Sequence, residues 1–192
     1  MNKTAETAAP ILPVLAERWS PRSFDADYVI SDQDVTSLLE AARWAPSANN
    51  IQPWRYSVLK RDTELFEQLT SQSLSGFNQA WAPRASALIV VSIQTLTGDG
   101  KTNHYAPYDA GLSVANLVIQ THALGLHAHQ IGGFNHETAI EILQLDADIK
   151  PVVVVAVGKV APAENLEGGA YEREIAHRSR LNLDEIVLHG KP

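Results

Sequence analysis

The stretch "RSR" near the carboxyl end of the chain places Arg178 and Arg180 two positions apart. In an extended segment, residues at this spacing project on the same side, so the two guanidinium groups would act together. A guanidinium is a planar fork that binds oxygens in pairs, and two of them suit a phosphate monoester. A solvated polar terminus explains the same residues equally simply, so the pair alone does not decide between the two interpretations.

A second pair of arginines, Arg18 and Arg22, lies in "RWSPRSF" before the first convincing helix. The chain has a formal net charge of −7. An acidic chain repels nucleic acid and anionic lipid unless its arginines cluster. We therefore expect no nucleic-acid partner and no membrane partner, but this pair does not by itself show what the two side chains face.

The stretch "APSANNIQPW" is the most informative of the three. A helix stopped at Ala-Pro is followed by four short polar side chains before the next strand: Ser47, Asn49, Asn50 and Gln52. An amide offers a donor and an acceptor together, which matches the edge of a heterocycle. A plain connecting loop needs only one or two turn-forming residues. The loop therefore indicates a ligand.

The composition is that of one globular domain with a real core. The chain has 192 residues, of which 45% are hydrophobic and 19% charged, and this length suits a single domain spanning residues 1–192. We expect residues 1–9 to be flexible. There is no cysteine, which excludes disulfides, thiolate catalysis and cysteine-ligated metals.

Hydrophobic spacing predicts helices alternating with short strands. Helices are expected at 31–45, where Ser31 is the N-cap and Asp34 the N3 residue, and at 63–72, 108–126 and 135–145. Strands are expected at 54–60, 85–94, 127–131 and 151–160. Several helices and a few non-consecutive strands indicate an α+β layered fold.

Two segments point to a second copy of the chain. The helix at 108–126 is small or apolar on nearly every face, and such a helix must be buried. In a domain of this size a partner subunit covers it most easily, so we expect a homodimer. The segment from Ala161 to Ala176 is polar and weakly patterned, and we expect it to wrap along a neighbour.

No targeting or membrane-spanning segment is expected. The short apolar run near the start is broken by Pro10 and Pro13, and is too weak for a signal peptide. The longest apolar runs, "ALIVV" and "VVVVAV", are far shorter than a membrane span. We therefore expect a cytoplasmic protein.

Four motifs in one order give the chain a resemblance. They are Arg18-x-Ser20-x-Arg22-x-Phe24, Ala45-Pro46-Ser47-x-x-Asn50-x-Gln52-Pro53-Trp54, Ile131-Gly132-Gly133-Phe134 and Arg178-x-Arg180. From about residue 14 onward the chain resembles the nitroreductase family of homodimeric, FMN-dependent oxidoreductases. The resemblance implies a layered α/β/α fold with a central, mostly antiparallel sheet flanked by helices, and a C-terminal segment that wraps the partner subunit.

The resemblance also implies an FMN site at the dimer interface. Arg18 and Ser20, with Trp19 between them, would hold the phosphate and ribityl end, and Arg178 and Arg180 would close on the phosphate. The other implied contacts are Arg22 beside the pyrimidine, Asn78 at the isoalloxazine edge, Ile131, Gly132 and Gly133 near N5 and O4, and Pro46, Ser47, Ala48 and Asn50 from the partner.

The activity implied by the resemblance is hydride transfer from NADH or NADPH through flavin N5 to an electron-poor acceptor, such as a nitroaromatic or a quinone, in a ping-pong cycle. No essential acid–base side chain is expected. "GxGxxG" is absent, so nicotinamide would visit the flavin face transiently. Two alternatives stay open: another flavin chemistry on the same fold (dehydrogenation, dehalogenation or flavin fragmentation), and a non-catalytic FMN-binding protein.

Two groups of residues need separate interpretation. His127 and His129 lie on one face of a short strand, but no third ligand has a convincing spacing, so no metal site is expected. His129 precedes the Gly-Gly pair and is a candidate proton donor. Gly132 and Trp81 stand where some relatives have an acidic residue and a lysine, and the short segment 95–106 implies a more open substrate pocket.

Overall fold

The computed structural model of the protein describes residues 3–190, and its centre is an antiparallel sheet. The four strands lie in the order β1-β2-β4-β3, and every adjacent pair is antiparallel. They are β1 (Trp54–Lys60), β2 (Ala87–Gln94), β3 (His127–Ile131) and β4 (Ile149–Gly158). The strands expected from sequence are all present, which confirms the α+β fold.

Side-chain alternation explains why the two central strands are continuously apolar. Leu88 and Val90 of β2 pack into one hydrophobic cluster, whereas Ile89 and Val91 pack into another on the opposite face. β4 alternates between the same two clusters. A strand covered on both faces has no polar side, which is why "ALIVV" and "VVVVAV" lack period-two polarity.

Helices cover both faces of the sheet. Within residues 3–190 they are α1 (Pro13–Glu17), α2 (Asp32–Arg43), α3 (Glu64–Gln68), α4 (Gly76–Gln79), α5 (Ala106–Ala123), α6 (His136–Leu143), α7 (Gly168–Ile175) and α8 (Leu183–Ile186). α2 and α5 contribute to the cluster around Ile89, and α3, α6 and α7 contribute to the cluster around Leu88. The result is the layered α/β/α arrangement.

The predicted start of α2 is confirmed. The Ser31 hydroxyl oxygen accepts a hydrogen bond of 3.0 Å from the Asp34 backbone N–H, which satisfies one of the amide groups left free at a helix start. α6 begins in the same manner, because the Asn135 side chain accepts from the Thr138 backbone N–H at 3.1 Å. These caps fix where each helix leaves its loop.

Within the segment expected to wrap along a neighbour, residues 163–175 pack their apolar side chains on their own chain, and contact of this segment with a partner stays a prediction. Leu166 and Ala170 join the cluster around Leu88, and Ala163 is also buried. The exposed apolar residues come later, with Leu181 65% and Leu188 82% exposed, so partner wrapping stays a prediction for that tail.

α5 is buried on one side only within a single chain. Val114, Leu117 and Val118 face the sheet, whereas Tyr108 is 68% exposed and Ala115 is exposed as well. The apolar outer side is what a partner subunit would cover, and the homodimer stays a prediction. No helix within residues 3–190 is both long enough and apolar enough to cross a membrane.

The start of the chain makes defined contacts. The Ala5 backbone N–H donates to the Ala16 carbonyl at 2.8 Å, and the Lys3 ammonium donates to the Ala176 carbonyl at 2.6 Å. The predicted flexibility of residues 1–9 stays a prediction, and residues 1 and 2 lie outside the described residues.

Candidate functional site

Arginines from the two ends of the chain lie close together. Arg18 directly follows α1, where its backbone N–H donates to the Val14 carbonyl at 3.2 Å. Its side chain donates to the Ser20 hydroxyl at 3.3 Å, while its buried Nε has no hydrogen-bond partner. A buried guanidinium nitrogen without a partner indicates that an acceptor belongs at this place.

The electrostatics confirm that Arg18 is near the C-terminal pair. Burial, and after it the charges of Arg178 and Arg180, lowers the pKa of Arg18. Burial and the charge of Arg180 lower the pKa of Arg178 in the same way. Among the described residues, none of the three forms a salt bridge with a carboxylate. Three cations that repel one another without a carboxylate partner favour the approach of an anion.

Arg178 also ties the C-terminal segment to the N-terminal one. Its Nη1 donates to the carbonyls of Lys3 and Ala16, the latter at 2.8 Å. Ala16 lies near the end of α1, so one arm of the guanidinium supports the helix that precedes Arg18. Arg180 is exposed, and its side chain donates to the Ser179 carbonyl at 2.7 Å.

The loop that carries Arg18 and Arg22 rests on His129. The His129 Nδ1 lies 2.8 Å from the Pro21 carbonyl, and its ring lies 4.5 Å from the buried ring of Trp81. Burial lowers the pKa of His129 to about 4, so the ring is neutral near pH 7 and its Nδ1–H donates to Pro21. His129 therefore holds the loop in place through its hydrogen bond to Pro21. Its role as a proton donor stays a prediction.

Trp19 packs between a cation and a histidine. The Lys3 ammonium lies 5.3 Å from its ring centre, and the His127 ring lies edge-on at 6.1 Å. Burial, followed by the charges of His122 and Arg18, lowers the pKa of His127 to about 4. Within residues 3–190 no group of three histidine, aspartate or glutamate side chains could hold a metal ion.

Glu174 is the residue that sequence reasoning missed. Its carboxylate is buried and accepts from two successive backbone N–H groups, those of Arg22 at 2.7 Å and Ser23 at 3.2 Å. Burial raises the pKa of Glu174, and these hydrogen bonds act against that shift. A signal was present in the sequence, because Ala170 and Glu174 are four residues apart, which places the carboxylate on the same side of a helix as a small apolar residue.

The Gly-Gly pair after β3 lies against α4. The Asn78 side-chain amide donates to the Gly133 carbonyl at 3.0 Å and to the Ser75 hydroxyl at 2.9 Å. A Cβ on Gly133 would lie 2.9 Å from Asn78 Nδ2, whereas a Cβ on Gly132 would have no atom within 4 Å. Gly133 is therefore needed for packing within the chain, and Gly132 leaves an open surface beside it.

Phe77, the residue before Asn78, contacts two guanidinium groups. The guanidinium of Arg22 lies 5.9 Å from the Phe77 ring centre, and that of Arg173 lies 4.3 Å from it. Burial lowers the pKa of Arg22, and its buried Nε has no hydrogen-bond partner. Arg22, which shares a loop with Arg18, thus lies beside the helix whose Asn78 contacts Gly133.

The amide loop between α2 and β1 is held by a different set of contacts. The carboxylate of the buried Asp109, in α5, accepts from the Ala48 backbone N–H at 3.2 Å, and the Ser47 hydroxyl accepts from the Gln52 N–H at 3.0 Å. Asn49 and Asn50 have φ of 51° and 56°. Asparagine tolerates this left-handed region, so part of the amide richness serves the backbone.

Within one chain, the amide loop and the Gly-Gly pair lie next to opposite edges of the sheet. The loop with Pro46, Ser47, Ala48 and Asn50 leads into β1, and the Gly-Gly pair follows β3. β1 and β3 are opposite edge strands, about 14 Å apart at an interstrand spacing of about 4.8 Å. Within one chain the two sets therefore lie at opposite edges of the sheet.

Comparison with known proteins gives consistent matches. The model of the nitroreductase family matches residues 15–159. A crystal structure of an oxidoreductase containing FMN is similar with a TM-score of 0.91 and 32% identity, over 97% of this chain and 95% of that one. The oxygen-insensitive NADPH nitroreductase of Helicobacter pylori is 29% identical over 157 residues, which cover 81% of this chain and 69% of that protein.

Proposed function

The chain belongs to the nitroreductase family, and we propose that it is an FMN-dependent oxidoreductase that passes hydride from NADH or NADPH to an electron-poor acceptor. Nitroaromatics and quinones are the acceptor classes, and donor and acceptor use the same face in turn in a ping-pong cycle. The similar structure that contains FMN and the NADPH nitroreductase relative support the cofactor and the electron donor.

The convergence of Arg18, Arg178 and Arg180 is the observation that carries the proposal. Burial, and after it mutual repulsion, lowers the pKa of Arg18 and Arg178, and a phosphate dianion would attract all three arginines. The unpartnered Nε of Arg18 offers a donor to such an anion. The residues present therefore fit the phosphate end of FMN.

The residues near the Gly-Gly pair fit the ring of the cofactor. When bound, FMN supplies the hydride chemistry, and the chain supplies placement and charge. The open space at Gly132 admits a flat ring against the backbone. Arg22, whose Nε is unpartnered, would place a positive charge beside the pyrimidine, and Asn78 would hold the edge of the site through its bond to Gly133.

A second copy of the chain would complete the site. The amide loop at the β1 edge is ordered by Asp109 and Ser47, and the Asn50 side chain makes no hydrogen bond within the described part of the chain. We therefore assign Pro46, Ser47, Ala48 and Asn50 to the flavin bound mainly by the partner. The exposed apolar tail from Leu181 onward would wrap that partner.

We infer a broad range of acceptors from the short connection between β2 and α5. Between β2 and α5 the chain forms a compact turn, in which the Thr97 N–H donates to the Lys101 carbonyl at 2.8 Å and the Gly100 N–H donates back to Thr97 at 2.8 Å. A turn of this kind cannot extend far over a neighbouring pocket. Electron-poor aromatic acceptors of different shapes would enter it.

The visible spectrum of the purified protein tests the proposal. We expect flavin absorbance in a ratio of one FMN per chain, and anaerobic addition of NADH or NADPH should bleach it. Steady-state oxidation of NADPH with a quinone should follow, which separates an enzyme from a flavin-storing protein. Bound FMN that stays oxidised with both nucleotides would contradict the catalytic proposal, and a protein that takes up no FMN would contradict all of it.

A further inference from the structure

Glu174 links two segments that are far apart in sequence. It lies in the last turn of α7 and is 1% exposed. One carboxylate oxygen accepts from the Arg22 N–H at 2.7 Å and the other from the Ser23 N–H at 3.2 Å. Both oxygens are thus used on adjacent peptide groups, which fixes the direction of the backbone as well as its position.

The contacts that follow Ser23 and Glu174 along the chain show which part of the backbone depends on this carboxylate. After Ser23 the backbone is held independently, because the Ala161 N–H donates to the Ser23 carbonyl at 2.9 Å and Phe24 pairs with Val160. Four residues after Glu174, the guanidinium of Arg178 donates to the Ala16 carbonyl at 2.8 Å. Glu174 therefore lies between the part of the N-terminal loop that is already anchored and the arginines at both ends.

We propose that Glu174 is the positioning residue that assembles the arginine cluster as one phosphate-binding unit. Its carboxylate holds the backbone at Arg22 and Ser23 against α7, so that Arg18, from the N-terminal loop, and Arg178, from the segment after α7, converge on the same anion. The inference rests on the proposed function, because the anion is the phosphate of FMN.

The negative charge of Glu174 by itself disfavours phosphate binding. If Glu174 promotes FMN binding, it must do so through the geometry of the loop. Glu174 lies close enough to Arg22 and Lys3 to interact with their charges. A negative charge among these cations weakens the field that attracts a phosphate. If Glu174 only balanced charge, its neutralisation would strengthen FMN binding. If it positions the loop, neutralisation weakens FMN binding, so the sign of the change separates the two roles.

Glu174→Gln is the variant that shows whether FMN affinity rises or falls when the charge of Glu174 is removed. The amide keeps the volume of the side chain and one acceptor oxygen, but its NH2 group faces the second backbone N–H. We expect FMN affinity to fall by about 10- to 150-fold, the range that follows from losing one hydrogen bond to a charged group. Glu172→Gln, on the exposed side of the same helix, removes the same charge without touching the loop, and should leave the affinity unchanged.

The experiment is a titration of the full-length chain, freed of flavin, with FMN and with riboflavin, which lacks the phosphate. The inference predicts that Glu174→Gln weakens FMN binding more than riboflavin binding, because riboflavin loses only the support of Arg22 beside the ring, whereas FMN also loses the arginines at its phosphate. Folded Glu174→Gln that binds FMN as tightly as wild type, or more tightly, overturns it. Equal loss for FMN and riboflavin also overturns it, because the effect would then not act through the phosphate.

A second variant keeps the inference testable if Glu174→Gln does not fold. Glu174→Asp retains the charge but shortens the reach by one methylene, so it should weaken FMN binding in the same direction. Unchanged FMN affinity in Glu174→Asp would count against positioning. Wild-type protein that binds no FMN would instead defeat the proposed function, which distinguishes the two failures.

Discussion

The side-chain amide of Asn78 donates to the backbone carbonyl of Gly133 at 3.0 Å. The same carbonyl accepts from the Ser75 N–H at 2.9 Å, so α4 and the end of β3 meet at one peptide group. Gly133 has its side-chain position filled by these neighbours, and Gly132 has its own position open. Two adjacent glycines thus serve different purposes.

The two glycines should respond differently to an added methyl group. Gly133→Ala pushes Asn78 away, because its Cβ would lie 2.9 Å from Nδ2, and we expect the flavin-free protein to lose about 1–3 kcal/mol of stability. Gly132→Ala should leave that stability unchanged and weaken FMN binding instead. Urea unfolding without FMN and an FMN titration check both variants. Equal destabilisation by the two substitutions would contradict the assignment.

Asp109 is predicted to hold the amide loop in place. Its buried carboxylate accepts from the Ala48 N–H, and Asp109→Ala leaves that donor without a partner. We expect a loss of about 1–3 kcal/mol in urea unfolding, together with weaker FMN binding. Asp27→Ala, which removes an exposed carboxylate, is the matched control. FMN affinity that is unaffected by Asp109→Ala would show that the loop does not contact the cofactor.

The fold should lose stability as the pH falls below about 6.5. Burial depresses the pKa of His129 from 6.5 to about 4, so between these values the unfolded chain binds a proton that the folded chain does not. Stability therefore rises with pH across this window, by up to about 3 kcal/mol for this residue. His129→Asn keeps a donor for Pro21 and removes the titration, so it should flatten the slope in urea unfolding.

A second buried histidine and an exposed one determine what the pH experiment should show. His127 has the same depressed pKa, so His129→Asn should reduce the slope without abolishing it. His189→Asn replaces an exposed histidine and should leave the slope as in wild type. An undiminished slope in His129→Asn would mean that His129 is protonated as readily in the folded protein as in the unfolded one.

The homodimer is predicted to depend on the outer side of α5. Light scattering should give about twice the chain mass of 20.9 kDa. Ala115→Arg places a charge in the middle of that exposed side and should yield a monomer with little FMN, since the partner's loop is lost. Ala147→Arg, on the exposed segment after α6, should remain dimeric. A wild-type mass of one chain at micromolar concentration would refute the dimer.

Regular elements were predictable because their signals are local. The strand at 54–60 was predicted with the bounds observed for β1, and the cap of α2 at Ser31 was read from one residue and its N3 partner. α5 was placed two residues late, since "APY" reads as a loop until Ala106 and Pro107 are seen to form its first turn. A local sequence pattern predicts whether an element is a helix or a strand more reliably than it predicts the residues at which that element begins and ends.

The site was less predictable because its contacts are long-range. The arginines were found from residue type and order, but the support of Glu174 for residues 22 and 23 spans about 150 positions, and no spacing rule reaches that far. The packing of residues 163–175 on their own chain could not be predicted for a related reason. Its few apolar residues are too sparse for a clear period, and only the core around Leu88 shows where they pack.

The affinity of arginine variants for FMN and riboflavin measures the central claim most directly. The flavin-free full-length chain, Arg18→Ala, Arg180→Ala and the exposed-charge control Lys159→Ala would each be titrated with both compounds. The account predicts that both arginine variants lose at least about tenfold in FMN affinity, with riboflavin affinity and the control unchanged. Wild-type FMN affinity in Arg18→Ala and Arg180→Ala would contradict it, because the anion would then bind elsewhere.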